Sequence, residues 1–69
     1  MRNVLIAIGN SGDAGLAAEA ERLIDDPSPL VRGAAVWALS RLDPRRLAAL
    51  AHKCAQESDE SVRAEWLAA

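Results

Sequence analysis

The side chains that could catalyse a reaction or bind a metal are few in this sequence, and they stand apart from one another. His52 is the one histidine, and helical geometry places it about 140° around its helix from Leu47, on the outer side. Cys54 is the one cysteine and falls in an apolar stripe, where a thiol behaves as a small hydrophobic group. The adjacent carboxylates Asp25 and Asp26 lack further ligands at a spacing that suits a metal ion. We therefore predict no catalytic, cofactor or metal site, and a chain that is not itself an enzyme.

The two adjacent acidic residues have a structural role open to them instead. Asp25 and Asp26 lie just before an expected helix start, where negative charge is stabilising. We expect them to pair with Arg32 or with Arg63, which occupies the equivalent place further along the chain. A structural ion pair is therefore the simpler interpretation of both arginines.

A strip that combines tryptophan and arginine is the feature most suggestive of a ligand. Gly33, Trp37 and Arg41 are spaced by four residues, so they share one side of a helix, about 130° from its apolar stripe. Arginine neutralises phosphate groups and an indole stacks on an unpaired base, although an exposed indole is also typical of protein contact surfaces. The equivalent side chains 31 positions earlier include Arg2 and Asn10, and two further arginines open the next helix. The candidate contacts for RNA or a partner are therefore Arg2, Asn10, Trp37, Arg41, Arg45 and Arg46. The alternative is that Trp37 packs against a neighbouring repeat or domain.

The elements that must position this strip follow from an internal repeat of 31 residues. Segment 29–38, PLVRGAAVWA, is echoed by segment 60–69, ESVRAEWLAA, which aligns Arg32 with Arg63. The same offset relates the earlier segments of the chain to those that follow. A period of this length is typical of stacked repeats, in which each unit buries its apolar face against the next.

Helix caps and apolar spacing predict five helices joined by short links. The helices are expected at about residues 2–10, 14–25, 29–41, 44–56 and 60 to the end. Starts are indicated by Asp13, Ser28, Asp43 and Asp59, with proline in the first turn after two of them. The residues expected to face inward are Val4, Ala7, Ile8, Leu16, Ala20, Leu23, Ile24, Val31, Ala35, Ala38, Leu39, Leu42, Leu47, Leu50, Ala51 and Cys54. Trp66 aligns with Ala35 and is expected to fill the core at the last repeat.

Composition supports an all-α protein, a short α-solenoid of helical hairpins. The 69 residues include no Phe and no Tyr, and the dominant apolar residue is alanine, the strongest helix former. The net charge of −2 gives no general attraction to nucleic acid, so such contact would need a local basic patch. Without a signal peptide or a long apolar run, we expect a cytoplasmic protein with no membrane contact. Residues 1–69 are expected to form one domain, and its uncapped apolar ends predict a fragment of a longer chain.

Two segments resemble known families. Residues 26–42, DPSPLVRGAAVWALSRL, look like a HEAT-like repeat of the short kind also found in phycobilin lyases. Residues 2–13, RNVLIAIGNSGD, followed at this distance by that segment, resemble the C-terminal HEAT-like domain of bacterial epoxyqueuosine reductases. The resemblance implies a non-catalytic domain that helps to bind the anticodon arm of tRNA in queuosine biosynthesis. It also implies a parent oxidoreductase whose N-terminal catalytic domain carries cobalamin and two 4Fe–4S clusters. None of the cysteines that bind those clusters is present in this chain.

Two further functions remain compatible with the sequence. The chain could be a protein–protein adaptor whose alanine-rich surface and Trp37 strip hold a partner helix or another domain, which its net acidity favours. It could also be a structural spacer without a ligand of its own.

Overall fold

The 31-residue repeat is built as helical hairpins lying side by side. The computed structural model describes residues 2–68, which form helices and contain no strand. The helices are α1 (Arg2–Ser11), α2 (Ala17–Leu23) after a 3₁₀ turn (Ala14–Leu16), α3 (Pro29–Leu42), α4 (Pro44–Ala49), α5 (His52–Gln56) and α6 (Glu60–Ala68). The prediction of an all-α helical repeat is confirmed.

Helix α3 is the centre of the structure. Helices α1 and α6 pack along its two sides, and these three equivalent helices make up one layer. Helices α2 and α4 contact α3 from a second layer, which α5 continues. The first layer therefore presents three neighbouring helices on one outer surface.

Short polar side chains begin the helices as the sequence predicts. The Asp13 carboxylate accepts a hydrogen bond from the Gly15 backbone N–H at 2.8 Å, after Gly12 reverses the chain at a φ of +69°. Asp43 caps α4 by accepting from the backbone N–H of Arg46 at 3.1 Å. Asp59 caps α6 by accepting from the backbone N–H of Val62 at 3.1 Å. Ser28 occupies the N-cap position of α3, but its side chain makes no capping hydrogen bond.

Small residues let the two layers approach closely. Ala17, Ala20, Ala35 and Ala38 are fully buried. The largest fully buried side chains are Leu5, Leu39, Val36 and Val62, which belong to three different helices of the first layer. All of these residues belong to one connected apolar cluster, so the repeats share a core.

The inward face predicted for α1 is wrong at two positions. Val4 is 54% exposed and Ala7 is also exposed, whereas Leu5, Ile8 and Gly9 are buried. The 31-residue offset equates Val4 and Ala7 with Ala35 and Ala38 of α3, which are fully buried. Helix α3 is flanked by two helices of its layer, but α1 packs along one, so a narrower arc of α1 is covered.

The second and fourth predicted helices are also shorter than expected. The second α-helix spans Ala17–Leu23 because a 3₁₀ turn replaces its first turn. The segment predicted as one helix over 44–56 is divided after Ala49, where Leu50 and Ala51 donate backbone hydrogen bonds to the carbonyls three residues earlier. This tighter turn rotates the chain, so Ala51 is exposed rather than inward and Leu50 is half-buried.

Two further expectations need correction. The carboxylate partner of Arg32 is Glu57, at a Nε–Oε1 distance of 2.8 Å, and Asp25 pairs with Lys53 at 2.9 Å. The Asp26 side chain instead accepts a hydrogen bond from the Ser28 backbone N–H. Trp66 packs against the core cluster but stays half-buried, so it covers the edge of the core rather than filling it.

Candidate functional site

An open cavity of about 420 Å³ lies on the outer surface of the first layer. All three helices of that layer contribute to it, and we call it the groove. Its lining is mostly apolar and includes some polar and charged side chains. The lining side chains include Arg2, Ile6, Asn10, Leu30, Ala34, Trp37 and Glu65.

Trp37 forms one wall of the groove, and Gly9 of α1 makes room for it. A Cβ atom at Gly9 would lie 2.5 Å from ring carbon Cζ3 of Trp37, far closer than two carbon atoms can approach. The indole is half-buried and packs against the core cluster. It therefore has one surface fixed by α1 and another turned towards the groove.

Arg41 holds the indole from the side of the α1 C-terminus. Its guanidinium carbon lies 5.3 Å from the centroid of the Trp37 ring, within the range of a cation–π contact. Its Nε–H donates a hydrogen bond to the Gly9 carbonyl oxygen at 3.2 Å. Arg41 thus orients Trp37 and ties α3 to α1, and it adjoins the groove rather than lining it.

The structure does not bring all six predicted contact residues together. Arg2, Asn10 and Trp37 line the groove. Arg45 is exposed on α4, and Arg46 forms an ion pair with Glu21 of α2 at 2.7 Å. These last two arginines belong to the second layer, so the strip and the arginines of α4 are separate surfaces.

Two residues of the groove that were not among the predicted contacts are indicated by the sequence pattern. Leu30 and Ala34 precede Trp37 by seven and three residues, so the three form a second apolar stripe along α3. Leu30 is 70% exposed, which marks this stripe as a surface feature rather than part of the core. No pattern in the sequence indicates that Glu65 lines the groove, because its position depends on how α6 packs beside Gly33.

A bidentate ion pair ties α3 to the residue that directly follows α5. Arg32 donates to both carboxylate oxygens of Glu57, at 2.8 and 2.9 Å, and also to the carbonyl oxygens of Asp26 and Pro27 at 3.0 Å. The hydrogen bond from Arg32 lowers the pKa of Glu57 below its ordinary value. Glu57 also accepts from the backbone N–H of Asp59, so one carboxylate fixes both the contact with α3 and the turn into α6.

Comparison with known proteins identifies a repeat family. A family model described as HEAT repeats matches residues 2–69. No curated protein matches the chain, and no solved structure does. Within residues 2–68, no helix combines the length and apolar character needed to cross a bilayer, and no three His, Cys, Asp or Glu side chains are grouped to hold a metal ion.

Proposed function

Because the chain belongs to the HEAT-repeat family, we propose that it is a non-catalytic adaptor that holds a segment of a partner protein in the groove. The observation that carries this proposal is a mostly apolar groove to whose lining α1, α3 and α6 all contribute. Ile6 comes from α1, and Leu30 with Ala34 comes from α3. Exposed apolar surface of this kind, rimmed by polar groups, is typical of protein interaction sites.

The charges around the groove also favour a protein partner. Arg2 of α1 and Glu65 of α6 stand on opposite sides of α3, so the rim offers both signs of charge. A peptide or helix can satisfy both with its own mixed side chains. A polyphosphate would be repelled by Glu65, and Arg41 is already committed to Trp37 and Gly9.

The size of the groove suits a few anchoring side chains. Its volume of about 420 Å³ lies within the usual range of binding pockets. The half-buried indole of Trp37 supplies a rigid wall, and tryptophan is enriched among residues that dominate binding energy. We therefore expect a partner segment with two or three apolar anchors, held against α3.

A peptide selection tests this proposal. Peptides that bind the full chain are selected from a displayed library. Their affinity is then measured for the parent chain and for a Leu30→Glu variant. Leu30 is exposed and lines the groove, so the change removes an apolar contact without disturbing the core. We expect at least about a tenfold loss of affinity, a typical effect for a central interface residue.

The matched control is Ala48→Glu, which adds the same charge at an exposed residue of α4 outside the groove. This variant should keep the parental affinity. Peptides that bind the Leu30→Glu variant as tightly as the parent chain would contradict the proposal.

The second candidate function is binding of a tRNA anticodon arm, as the resemblance to epoxyqueuosine reductases implies. It is favoured by one observation, that Arg2, Asn10 and Trp37 line the same groove. In this version the chain is the substrate-holding part of a cytoplasmic enzyme whose N-terminal domain carries cobalamin and two 4Fe–4S clusters. Trp37 would stack on a base and Arg2 would contact phosphate.

An anticodon stem-loop titration separates the two candidates. If RNA occupies the groove, its affinity falls steeply as the salt concentration rises. Arg2→Glu should then reduce the slope of log affinity against log salt by the equivalent of about one phosphate contact. Arg45→Glu is the matched control, because Arg45 lies outside the groove. Equal affinity for the stem-loop in both variants would reject RNA binding at this site.

A further inference from the structure

The groove carries opposite charges on its two sides, at the same height along α3. Arg2 of α1 and Glu65 of α6 both line it, and these two helices pack on opposite sides of α3. Arg2 aligns with Gly33 through the 31-residue offset, and a Cβ atom at Gly33 would lie 3.8 Å from Cγ of Glu65. Both charged side chains are therefore level with the turn of α3 that contains Gly33.

Neither charge is neutralised by an ion pair within the part of the chain that the structure describes. The ion pairs formed among residues 2–68 join other side chains, and Arg2 and Glu65 take part in none of them. Arg2 is exposed and Glu65 is half-buried. Each can therefore pair with a charged group on a molecule that covers the groove.

An apolar stripe of α3 separates the two charges. Leu30, Ala34 and Trp37 lie along this stripe and line the groove, and Leu30 is 70% exposed. Gly33 and Ala34 add little bulk between the two larger side chains, so another surface can come close to α3 there. The outer surface of the first layer thus has a positive side, an apolar centre and a negative side.

Such a surface is complementary to itself. A two-fold axis parallel to α3 places the stripe of one copy on the stripe of the other, and places α1 of each copy over α6 of the other. Arg2 of each copy then faces Glu65 of the other, which makes two identical ion pairs. A two-fold axis across α3 would instead bring like charges together, which is unfavourable.

We propose that two copies of this chain pair through the groove, about a two-fold axis that runs along α3. Apolar contact along the stripe holds the pair, and the two ion pairs between Arg2 and Glu65 select its orientation. The pair covers the site in which a partner segment binds, so such a segment must displace the second copy. That competition rests on the function proposed above, whereas the pairing of two copies does not.

Reversal of the two charges tests the arrangement. In Arg2→Glu both facing pairs become Glu with Glu, and in Glu65→Arg both become Arg with Arg. A mixture of these two variants restores two attractive pairs, so the variants should associate with each other although neither associates well with itself. Association constants are measured by sedimentation equilibrium at low salt, where exposed charges are least screened.

We expect each single variant to self-associate at least about tenfold more weakly than the parent chain, because two rim pairs change from attraction to repulsion. The mixture, and the double variant Arg2→Glu/Glu65→Arg, should recover the parental constant to within about threefold. Arg45→Glu is the matched control, since it makes the same charge change as Arg2→Glu but lies outside the groove. This control should self-associate as the parent chain does.

A parent chain that sediments as a monomer at about 1 mM would overturn the pairing. The partner-segment proposal would then still depend on its own peptide titration. A mixture that associates no better than its two components would also overturn the pairing. Should Glu65→Arg fail to fold, the comparison of Arg2→Glu with Arg45→Glu decides, and equal constants for these two variants would overturn it.

Discussion

At the scale of single residues, the groove depends on one missing side chain. Gly9 leaves the space that the Trp37 indole occupies, and Arg41 then bonds to the Gly9 carbonyl while lying over the same ring. These three residues come from two helices and form one contact. The position of the candidate binding wall is therefore set by a glycine outside the binding surface.

Gly9→Ala should displace the indole. The added Cβ would meet the ring at 2.5 Å, and crowding of this kind costs about 1–3 kcal/mol. Better helix propensity offsets about 1 kcal/mol of that cost. We expect a lower free energy of unfolding in urea and a changed Trp37 emission.

Gly33→Ala is the matched control within the same layer. A Cβ at Gly33 would meet Val62 and Glu65 at 3.9 and 3.8 Å, which is ordinary contact. This variant should gain about 0.5–1 kcal/mol from helix propensity. A Gly9→Ala variant as stable as Gly33→Ala would contradict the packing described for Trp37.

Glu57 gives the stability a defined dependence on pH. Its pKa is lowered in the folded state by the hydrogen bond from Arg32. The contribution of the pair is therefore complete above the ordinary glutamate pKa of about 4.3 and is lost as the pH falls through the folded pKa. At pH 7, Glu57→Gln should cost about 1–3 kcal/mol in urea unfolding.

The pH series supplies the control for this prediction. The difference between the parent chain and Glu57→Gln should shrink as the pH is lowered below about 4. A difference that stays constant down to pH 2 would show that Glu57 acts through packing rather than through its charge.

At the scale of helices, the break between α4 and α5 decides which residues of the second layer reach the core. Leu47 is buried before the break, and Ala51 is exposed within it. The backbone there closes with bonds between residues three apart, which fixes a tighter turn than an α-helix has. The apolar residues of this segment consequently lie on two helical faces rather than one.

Two substitutions test the break. Ala51→Glu should change the free energy of unfolding by less than about 0.5 kcal/mol, because the side chain points to solvent. Leu47→Ala should cost about 2–4 kcal/mol, because it leaves a cavity in the core. A large loss for Ala51→Glu in thermal or urea unfolding would indicate one continuous helix instead.

The sequence predicts where helices begin better than it predicts which of their residues are buried. Cap residues such as Asp43 and Asp59 act locally, so the starts of α4 and α6 follow from a few neighbouring residues. The repeat predicts that equivalent helices stack. Burial of Val4, Ala7 and Ala51 was predicted wrongly because it depends on the number of neighbouring helices and on a local turn. Period and spacing contain neither piece of information.

The candidate site was less predictable than the fold. Helical spacing places Trp37 and Arg41 on one strip, and the 31-residue offset adds Arg2 and Asn10. Of these, Arg2, Asn10 and Trp37 line the groove. Arg45 and Arg46 were added only because they are close to Arg41 in the sequence. The link before α4 turns the chain into the second layer, and Arg46 there meets Glu21. Residues that are close in sequence can therefore lie on different surfaces when such a turn separates them.

At the scale of the whole molecule, one apolar cluster joins every hairpin. It includes Leu5 of α1, Leu39 of α3 and Val62 of α6. The ion pairs between Arg46 and Glu21 and between Lys53 and Asp25 are partly exposed to solvent, and surface pairs contribute little to stability. Cooperativity should therefore come from the shared core.

Unfolding should occur in a single transition. Trp37 reports on the contact between α1 and α3, and Trp66 reports on α6. Each emission can be isolated by replacing the other tryptophan with phenylalanine. In each variant, we expect the emission of the remaining tryptophan to change at the same urea midpoint as the circular dichroism signal. An earlier Trp66 transition would show that α6 unfolds independently of the rest.

The central claim is that α1, α3 and α6 form one groove for a partner segment. The most direct test is an NMR titration of the full chain with a peptide from the selection described above. We predict that backbone amide signals shift together around Ile6, Leu30 and Glu65, one residue from each helix of the first layer. Shifts confined to α4, or to a single helix of the first layer, would contradict the account.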